Sequence, residues 1–144
     1  MRHVSYSFKA FDEPEALILA ARQALKDVTY DTMVGRGLSG ALVVPILARA
    51  LGKKWAIVRK PGDGSHSTSR FEGEIGRRWI FVDDFIASGN TYFRTEEVVL
   101  AEGVANGERP QLVGAYLYGT DMGAPHPAGV FVPAEGGAAT LPGR

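Results

Sequence analysis

Apolar residues in this chain come in short runs separated by charged or glycine-rich breaks. The spacing inside each run sets the element it predicts. Val4, Tyr6 and Phe8 alternate with polar residues, the period of a short strand. Asp12-Glu13-Pro14 joins an N-capping acid to a proline in the first turn and so opens a helix. Ala16, Leu17, Ala20, Ala21, Ala24 and Leu25 then recur at helical spacing to about Lys26 and give that helix one apolar face. Tyr30 to Val34 predicts a strand, Gly35-Arg36-Gly37-Leu38-Ser39-Gly40 a loop, and Ser39 to Leu51 a helix. Gly52 is expected to close this helix, and Pro45 to kink it. Trp55–Val58 and residues 79–83 predict two further strands. A helix follows from about Thr91 to Val104, with Gly103 and Gly107 marking its end, and then a strand over Leu112–Tyr118. Beyond residue 119 only Val130-Phe131-Val132 has strand character, and the Gly/Pro-rich tail after Pro133 is expected on the surface.

Strands alternating with helices predict an α/β fold: a twisted parallel sheet with helices on both faces, here as a single domain over residues 1–144. Ligands of such sheets bind beyond the carboxyl ends of the strands. Four candidate segments fall there: 35–40, 59–60, 83–91 and 118–121. The polar segment 61–76 is longer than ordinary connections, which favours a mobile lid or binding loop.

The chemistry concentrates after the strand at 79–83. That strand carries Asp83 and Asp84 to its carboxyl end, and Ala87-Ser88-Gly89-Asn90-Thr91 then leads into a helix N-terminus. Such a terminus offers unpaired backbone N–H groups and the positive end of a dipole, which suits a phosphate. Ser88 and Thr91 add hydroxyl donors, and Gly89 permits close approach. Each feature also has a plain alternative. Paired acids and Arg59-Lys60 suit solvated strand ends, glycine turns are common, and Glu72 and His66 suit exposed loop positions.

Composition narrows the classes. The 144 residues carry sixteen basic and sixteen acidic side chains, so net charge gives no reason to expect nucleic acid or an anionic membrane as partner. The absence of cysteine excludes disulfides, thiol nucleophiles and cysteine metal sites. No apolar run reaches membrane-spanning length and no signal-type segment opens the chain, so a cytoplasmic location is the default.

Val82-Asp83-Asp84-Phe85-Ile86-Ala87-Ser88-Gly89-Asn90-Thr91 resembles the phosphoribosyl pyrophosphate (PRPP) motif of the type I phosphoribosyltransferases. Gly35-Arg36-Gly37 resembles that family's pyrophosphate loop, and Ile57-Val58-Arg59-Lys60 the entry to its flexible catalytic loop. The resemblance spans roughly residues 30–118 and leaves both ends uncovered. It implies a Rossmann-like core with a small hood from the chain ends. It also implies that Asp83 and Asp84 face the ribose hydroxyls and that residues Ala87, Ser88, Gly89, Asn90 and Thr91 hold the 5-phosphate. Arg36, Gly37, Arg59 and Lys60, with Arg70 in addition, would serve the pyrophosphate. A cis or distorted Arg36–Gly37 bond would fit the family's strained loop. Mg²⁺ is implied as cofactor, with Asp83 and Asp84 acting on it indirectly through ribose or water, and a homodimer is implied as the assembly.

The resemblance also frames the acceptor. Ala87 stands where hypoxanthine-guanine enzymes carry an acid. Adenine enzymes have a small residue there and a glutamate in the loop, and Ser69-Arg70-Phe71-Glu72-Gly73 is similar to that loop, making Glu72 the candidate acid/base. His66 matches a feature of orotate enzymes, but their loop lysines are missing. Tyr118, Gly119, Asp121 and Phe71 are candidate base contacts. The implied activity is transfer of phosphoribosyl from PRPP to a nucleobase, a purine of the adenine type first. The alternative is a non-catalytic or regulatory protein of the same fold that binds a nucleoside monophosphate or a guanine nucleotide alarmone.

Overall fold

The computed structural model describes residues 14–59, 71–84, 90–118 and 130–133. The expected strand at residues 4–8 and the tail after Pro133 lie outside these. The described elements are α1 (Pro14–Ala24), β1 (Thr32–Arg36), α2 (Gly37–Leu51), β2 (Lys54–Val58), β3 (Phe71–Gly73), β4 (Arg78–Asp83), α3 (Asn90–Ala105), β5 (Gln111–Leu117) and β6 (Val130–Pro133). They build one six-stranded sheet in the order β3-β2-β1-β4-β5-β6. The four central strands are mutually parallel, and the short edge strands β3 and β6 run antiparallel to their neighbours.

Alternation along the strands divides the core in two, because successive side chains point to opposite faces. Met33, Ile57, Ile80, Val82 and Tyr116 face α1 and α2, where they meet Ala21, Val43, Val44, Leu47 and Ala48. Val34, Ala56, Val58, Trp79, Phe81, Ala115 and Leu117 face the other way and meet Val99 of α3. Strands buried on both faces are apolar throughout, which explains the continuous runs in the sequence. Helices therefore cover both faces, as the alternation predicts.

Several boundaries move. β1 reaches Arg36 because Gly35 and Arg36 pair with Ile57 and Val58, so both belong to the strand and not to the loop. Gly37, at φ +66°, turns the chain straight into α2, two residues before the predicted start. α2 passes Pro45 as one continuous helical span. Gly52 closes it at φ +71°, with Gly52 N–H donating to Arg49 O (3.3 Å) and Lys53 N–H to Ala48 O (2.8 Å), a Schellman closure. Gly107 closes α3 in the same way. Gly103 does not end that helix: a Cβ there would lie 2.1 Å from Pro110 Cδ, so the glycine admits the proline against the helix.

One expectation is corrected. Part of the polar loop at 61–76 is a strand: β3 (Phe71–Gly73) pairs with Ala56–Val58. Trp55, the aromatic start of a strand predicted from its apolar run, is 36% exposed. Its backbone is held on both sides, in register with Met33 of β1 and with Glu74 N–H donating to Trp55 O at 2.9 Å, so the exposure does not come from an unpaired strand edge.

The amino ends of the strands are fastened by one side chain. Asp31 Oδ2 accepts the backbone N–H groups of Arg77 and Arg78, each at 3.0 Å. Thr32 Oγ1 donates to Asp31 Oδ1 at 2.5 Å and accepts Gly76 N–H at 2.9 Å. This clamp fixes β4 against β1 at the end opposite the candidate site.

Candidate functional site

Register brings the predicted residues together. Arg36 pairs with Val58, and Asp83 with Leu117. Arg36 and Asp83 each stand two residues past the paired Val34 and Phe81 of β1 and β4. Val58, Arg36, Asp83 and Leu117 thus lie at one level of four neighbouring strands. The next residue of each strand gives a row along the carboxyl edge: Arg59, Gly37, Asp84, Tyr118. Neighbouring strands are about 4.8 Å apart, so the row spans roughly 15 Å.

The centre of that row is a topological switch point. From β1 the chain passes through α2 to β2 on one side, while β4 leads through α3 to β5 on the other. The two crossover helices lie on opposite faces and leave a crevice between β1 and β4, where open α/β sheets bind their ligands. α2 starts at the crevice from Gly37, preceded by Arg36 in extended conformation (φ −137°, ψ 138°) and without a side-chain cap. Its first N–H groups and dipole therefore face the crevice mouth as a ready anion cradle. The Arg36–Gly37 bond is trans, as are all peptide bonds among the described residues. The turn is made by the positive φ of Gly37 and not by a cis bond.

Asp83 and Asp84 are both partly exposed at the strand mouth. Asp83 Oδ1 accepts the N–H of Asp84 at 2.9 Å, which orients that carboxylate back over the strand end. Asp83 O accepts Tyr118 N–H at 3.0 Å, tying β4 to β5 at the level of the site. The Tyr118 phenol is buried, and its pKa is raised well beyond the ordinary tyrosine range. Burial contributes most to this, followed by the charges of Asp84 and Asp83. Tyr118 therefore stays a neutral O–H donor close to both acids.

Arg59 and Glu72 form an ion pair across the β2–β3 edge. The sequence placed them separately, one with the pyrophosphate and one as acid/base. The signal that joins them is the alternation at Phe71-Glu72: Phe71 packs into the α3-side core, so Glu72 projects from the opposite face. Phe71 is thus a core contact of an edge strand and not a lid residue. Asn90 and Thr91 open α3. Lys60, His66, Arg70, Ala87, Ser88, Gly89, Gly119 and Asp121 lie outside the described residues.

No group of three or more His, Cys, Asp or Glu side chains able to hold a metal occurs among the described residues. The adjacent carboxylates of Asp83 and Asp84 suit a hard cation reached through water or ligand oxygens.

Comparison with known proteins agrees with this architecture. The chain aligns with the solved orotate phosphoribosyltransferase of Aeropyrum pernix at TM-score 0.62 and 20% identity, over 81% of this chain and 65% of that one. It aligns with the adenine phosphoribosyltransferase of Saccharomyces cerevisiae at TM-score 0.50 and 29% identity, over 74% and 66%. The fold is the type I phosphoribosyltransferase fold. In sequence the chain is 30% identical over 90 residues to an orotate phosphoribosyltransferase of Thermococcus kodakarensis, covering 61% of this chain and 49% of that protein. It is 33% identical over 97 residues to an adenine phosphoribosyltransferase of Alkaliphilus oremlandii, covering 56% of each. In fold and in sequence the chain is similar to orotate and adenine phosphoribosyltransferases. It spans about half the length of the curated relatives it matches. No family model matches it.

Proposed function

We propose that the protein transfers the 5-phosphoribosyl group of PRPP to a nucleobase and releases pyrophosphate. The observation that carries this is the row Arg59, Gly37, Asp84, Tyr118 along the carboxyl edge of four neighbouring strands. It sets an anion cradle beside a pair of carboxylates, the division of charge that the chemistry needs. A base nitrogen forms a bond to the anomeric carbon as the carbon–oxygen bond to pyrophosphate breaks, and the electron pair leaves with pyrophosphate. Positive charge building on the ribose is favoured by Asp83 and Asp84. Negative charge building on pyrophosphate is favoured by Arg36, Arg59, Lys60 and the N–H groups at Gly37. Residues 87–91 hold the 5-phosphate at the start of α3. Mg²⁺, reached from Asp83 and Asp84 through ribose or water, would add positive charge at the leaving group.

Within this proposal the acceptor is a purine, adenine before oxopurines, because Ala87 supplies no acid and Glu72 lies near the edge of the site. Tyr118 and Asp121 serve the base side. A homodimer and a cytoplasmic location belong to the same proposal, with neither nucleic acid nor membrane as partner. Among the described residues no helix is long and apolar enough to cross a membrane. The test is pyrophosphate release from PRPP and Mg²⁺ with adenine, guanine, hypoxanthine, xanthine, orotate and uracil in turn. Release with adenine alone supports the full proposal, and release with orotate alone moves the acceptor to a pyrimidine.

One observation favours a second reading. Glu72, the candidate acid/base, is held by Arg59. A protein that binds a nucleoside monophosphate or a guanine nucleotide alarmone without turnover needs no free acid/base. It would bind nucleotide and release pyrophosphate with none of the six bases.

A further inference from the structure

The amino ends of the strands, away from the crevice, carry a second basic concavity. A cavity of about 440 Å³ is lined by Arg77, Arg78, Glu108, Arg109, Pro110 and Gln111. Three of the chain's sixteen basic residues thus meet in one place on a protein of zero net charge. Nothing in the transfer chemistry uses them, since the strand ends that carry that chemistry are the opposite ones.

The walls are built and fixed. Asp31 pins the backbone of Arg77 and Arg78 through two hydrogen bonds of 3.0 Å. Gln111 N–H donates to Arg77 O at 2.7 Å and joins the two walls. The Arg78 guanidinium donates to Thr29 O (3.0 Å) and to Gln111 Oε1 (2.9 Å), which fixes its position between the two walls. On the far wall, Glu108 N–H donates to Gly103 O at 2.8 Å, and Pro110 is seated on Gly103. Arg77 and Arg109 are exposed, and their side chains make no ion pair with a described residue. Two guanidinium forks on a rigid frame suit bidentate binding of phosphoryl oxygens. The volume lies within the range of small-molecule sites.

We propose that this cavity is a second ligand site, for a phosphorylated small molecule, with Arg77 and Arg109 taking its anionic groups and Arg78 forming the floor. The site is independent of the transferase proposal and survives if that proposal fails. The ligand chemistry has two sources, a free polyphosphate and a nucleotide, and one experiment separates them. The full chain, labelled with ¹⁵N, is titrated with inorganic pyrophosphate and, in parallel, with ATP, and backbone amide shifts are followed by NMR. Saturable shifts at Glu108, Arg109, Gln111 and Leu112 are expected with at least one probe. Equal affinity for the two means that the phosphoryl groups alone are read. Tighter binding of ATP means that the nucleoside fills the rest of the cavity. The double variant Arg77→Ala/Arg109→Ala removes exposed side chains and keeps the clamp, and should weaken these shifts at least about tenfold while the remaining spectrum stays folded. Arg77→Lys/Arg109→Lys keeps the charge but not the fork and should fall between the two. Glu108→Gln removes a repelling charge and should tighten binding. Shifts confined to Asp83, Asp84 and Gly37, or shifts at 108–112 unchanged in the double alanine variant, would overturn the proposal.

Discussion

Gly35 of β1 and Gly40 of α2 touch backbone to backbone: a Cβ on Gly35 would lie 2.9 Å from Gly40 Cα, and one on Gly40 would lie 2.9 Å from Gly35 C. The helix that presents the anion cradle is therefore pressed onto the strand that feeds it. Gly40→Ala should force the two apart and cost about 1–3 kcal/mol by overpacking. Gly35→Ala meets Val44 Cγ2 at 2.7 Å as well and should cost no less. Urea denaturation measures both. Because the shift displaces the helix that carries the anion cradle, PRPP affinity should fall in the folded fraction.

Asp31 gives the converse case, a residue that matters for stability and not for the site. Asp31→Ala leaves the N–H groups of Arg77 and Arg78 without their acceptor, at a cost of about 2–3 kcal/mol. Steady-state constants measured well below the melting temperature should remain close to those of the parent. A large change in KM for PRPP would mean that the two ends of the sheet are coupled.

The Arg59–Glu72 pair separates two roles for Glu72. The Glu72 side chain is 56% exposed, so the pair adds at most about 1 kcal/mol to stability. Glu72→Gln should leave the melting temperature nearly unchanged. If Glu72 is the acid/base of the transfer, kcat falls on the order of a hundredfold. If it only holds Arg59, kcat is kept and KM for PRPP changes, as in Arg59→Ala.

Tyr30 and Tyr116 predict an alkaline limit. Burial raises the pKa of both from 10.0 to about 12, and for Tyr116 the charge of Tyr30 adds to it. The unfolded chain gives up these protons near pH 10, whereas the folded protein keeps them to about pH 12. Stability is therefore full below pH 10 and is lost as pH rises towards 12, at up to about 1.4 kcal/mol per pH unit for each phenol. Neither hydroxyl has a hydrogen-bond partner among the described residues. Tyr116→Phe should thus be neutral or stabilising at neutral pH, and should flatten the alkaline loss in a denaturation series.

The strand ends that carry the described part of the candidate site were legible, because strand ends follow from apolar runs. Trp79 to Val82 leads to Asp83 in any α/β reading, and Gly37 must follow a strand if it is to open a helix. The common level of Arg36 and Asp83 was not legible, because register depends on which strands are neighbours and the chain does not state their order. β3 was missed for a related reason. Phe71-Glu72-Gly73 holds one apolar residue in a polar stretch, and its strand character comes from pairing with β2. Trp55 shows the limit of apolar runs, because an aromatic residue on a predicted strand need not be buried: it is 36% exposed although its backbone is paired on both sides. The Asp31 clamp gave no signal at all, since a lone acid before a strand reads as a turn residue.

The central claim is that the carboxyl-edge row performs phosphoribosyl transfer, and pyrophosphate release tests it most directly. With PRPP, Mg²⁺ and the six bases, the parent protein should release pyrophosphate with one of them, adenine first. Asp84→Ala should lower kcat by about two to three orders of magnitude, the scale on which single groups stabilising developing charge act, while the fold is kept. Nucleotide binding without pyrophosphate release from any base, or turnover undiminished in Asp84→Ala, would contradict the account.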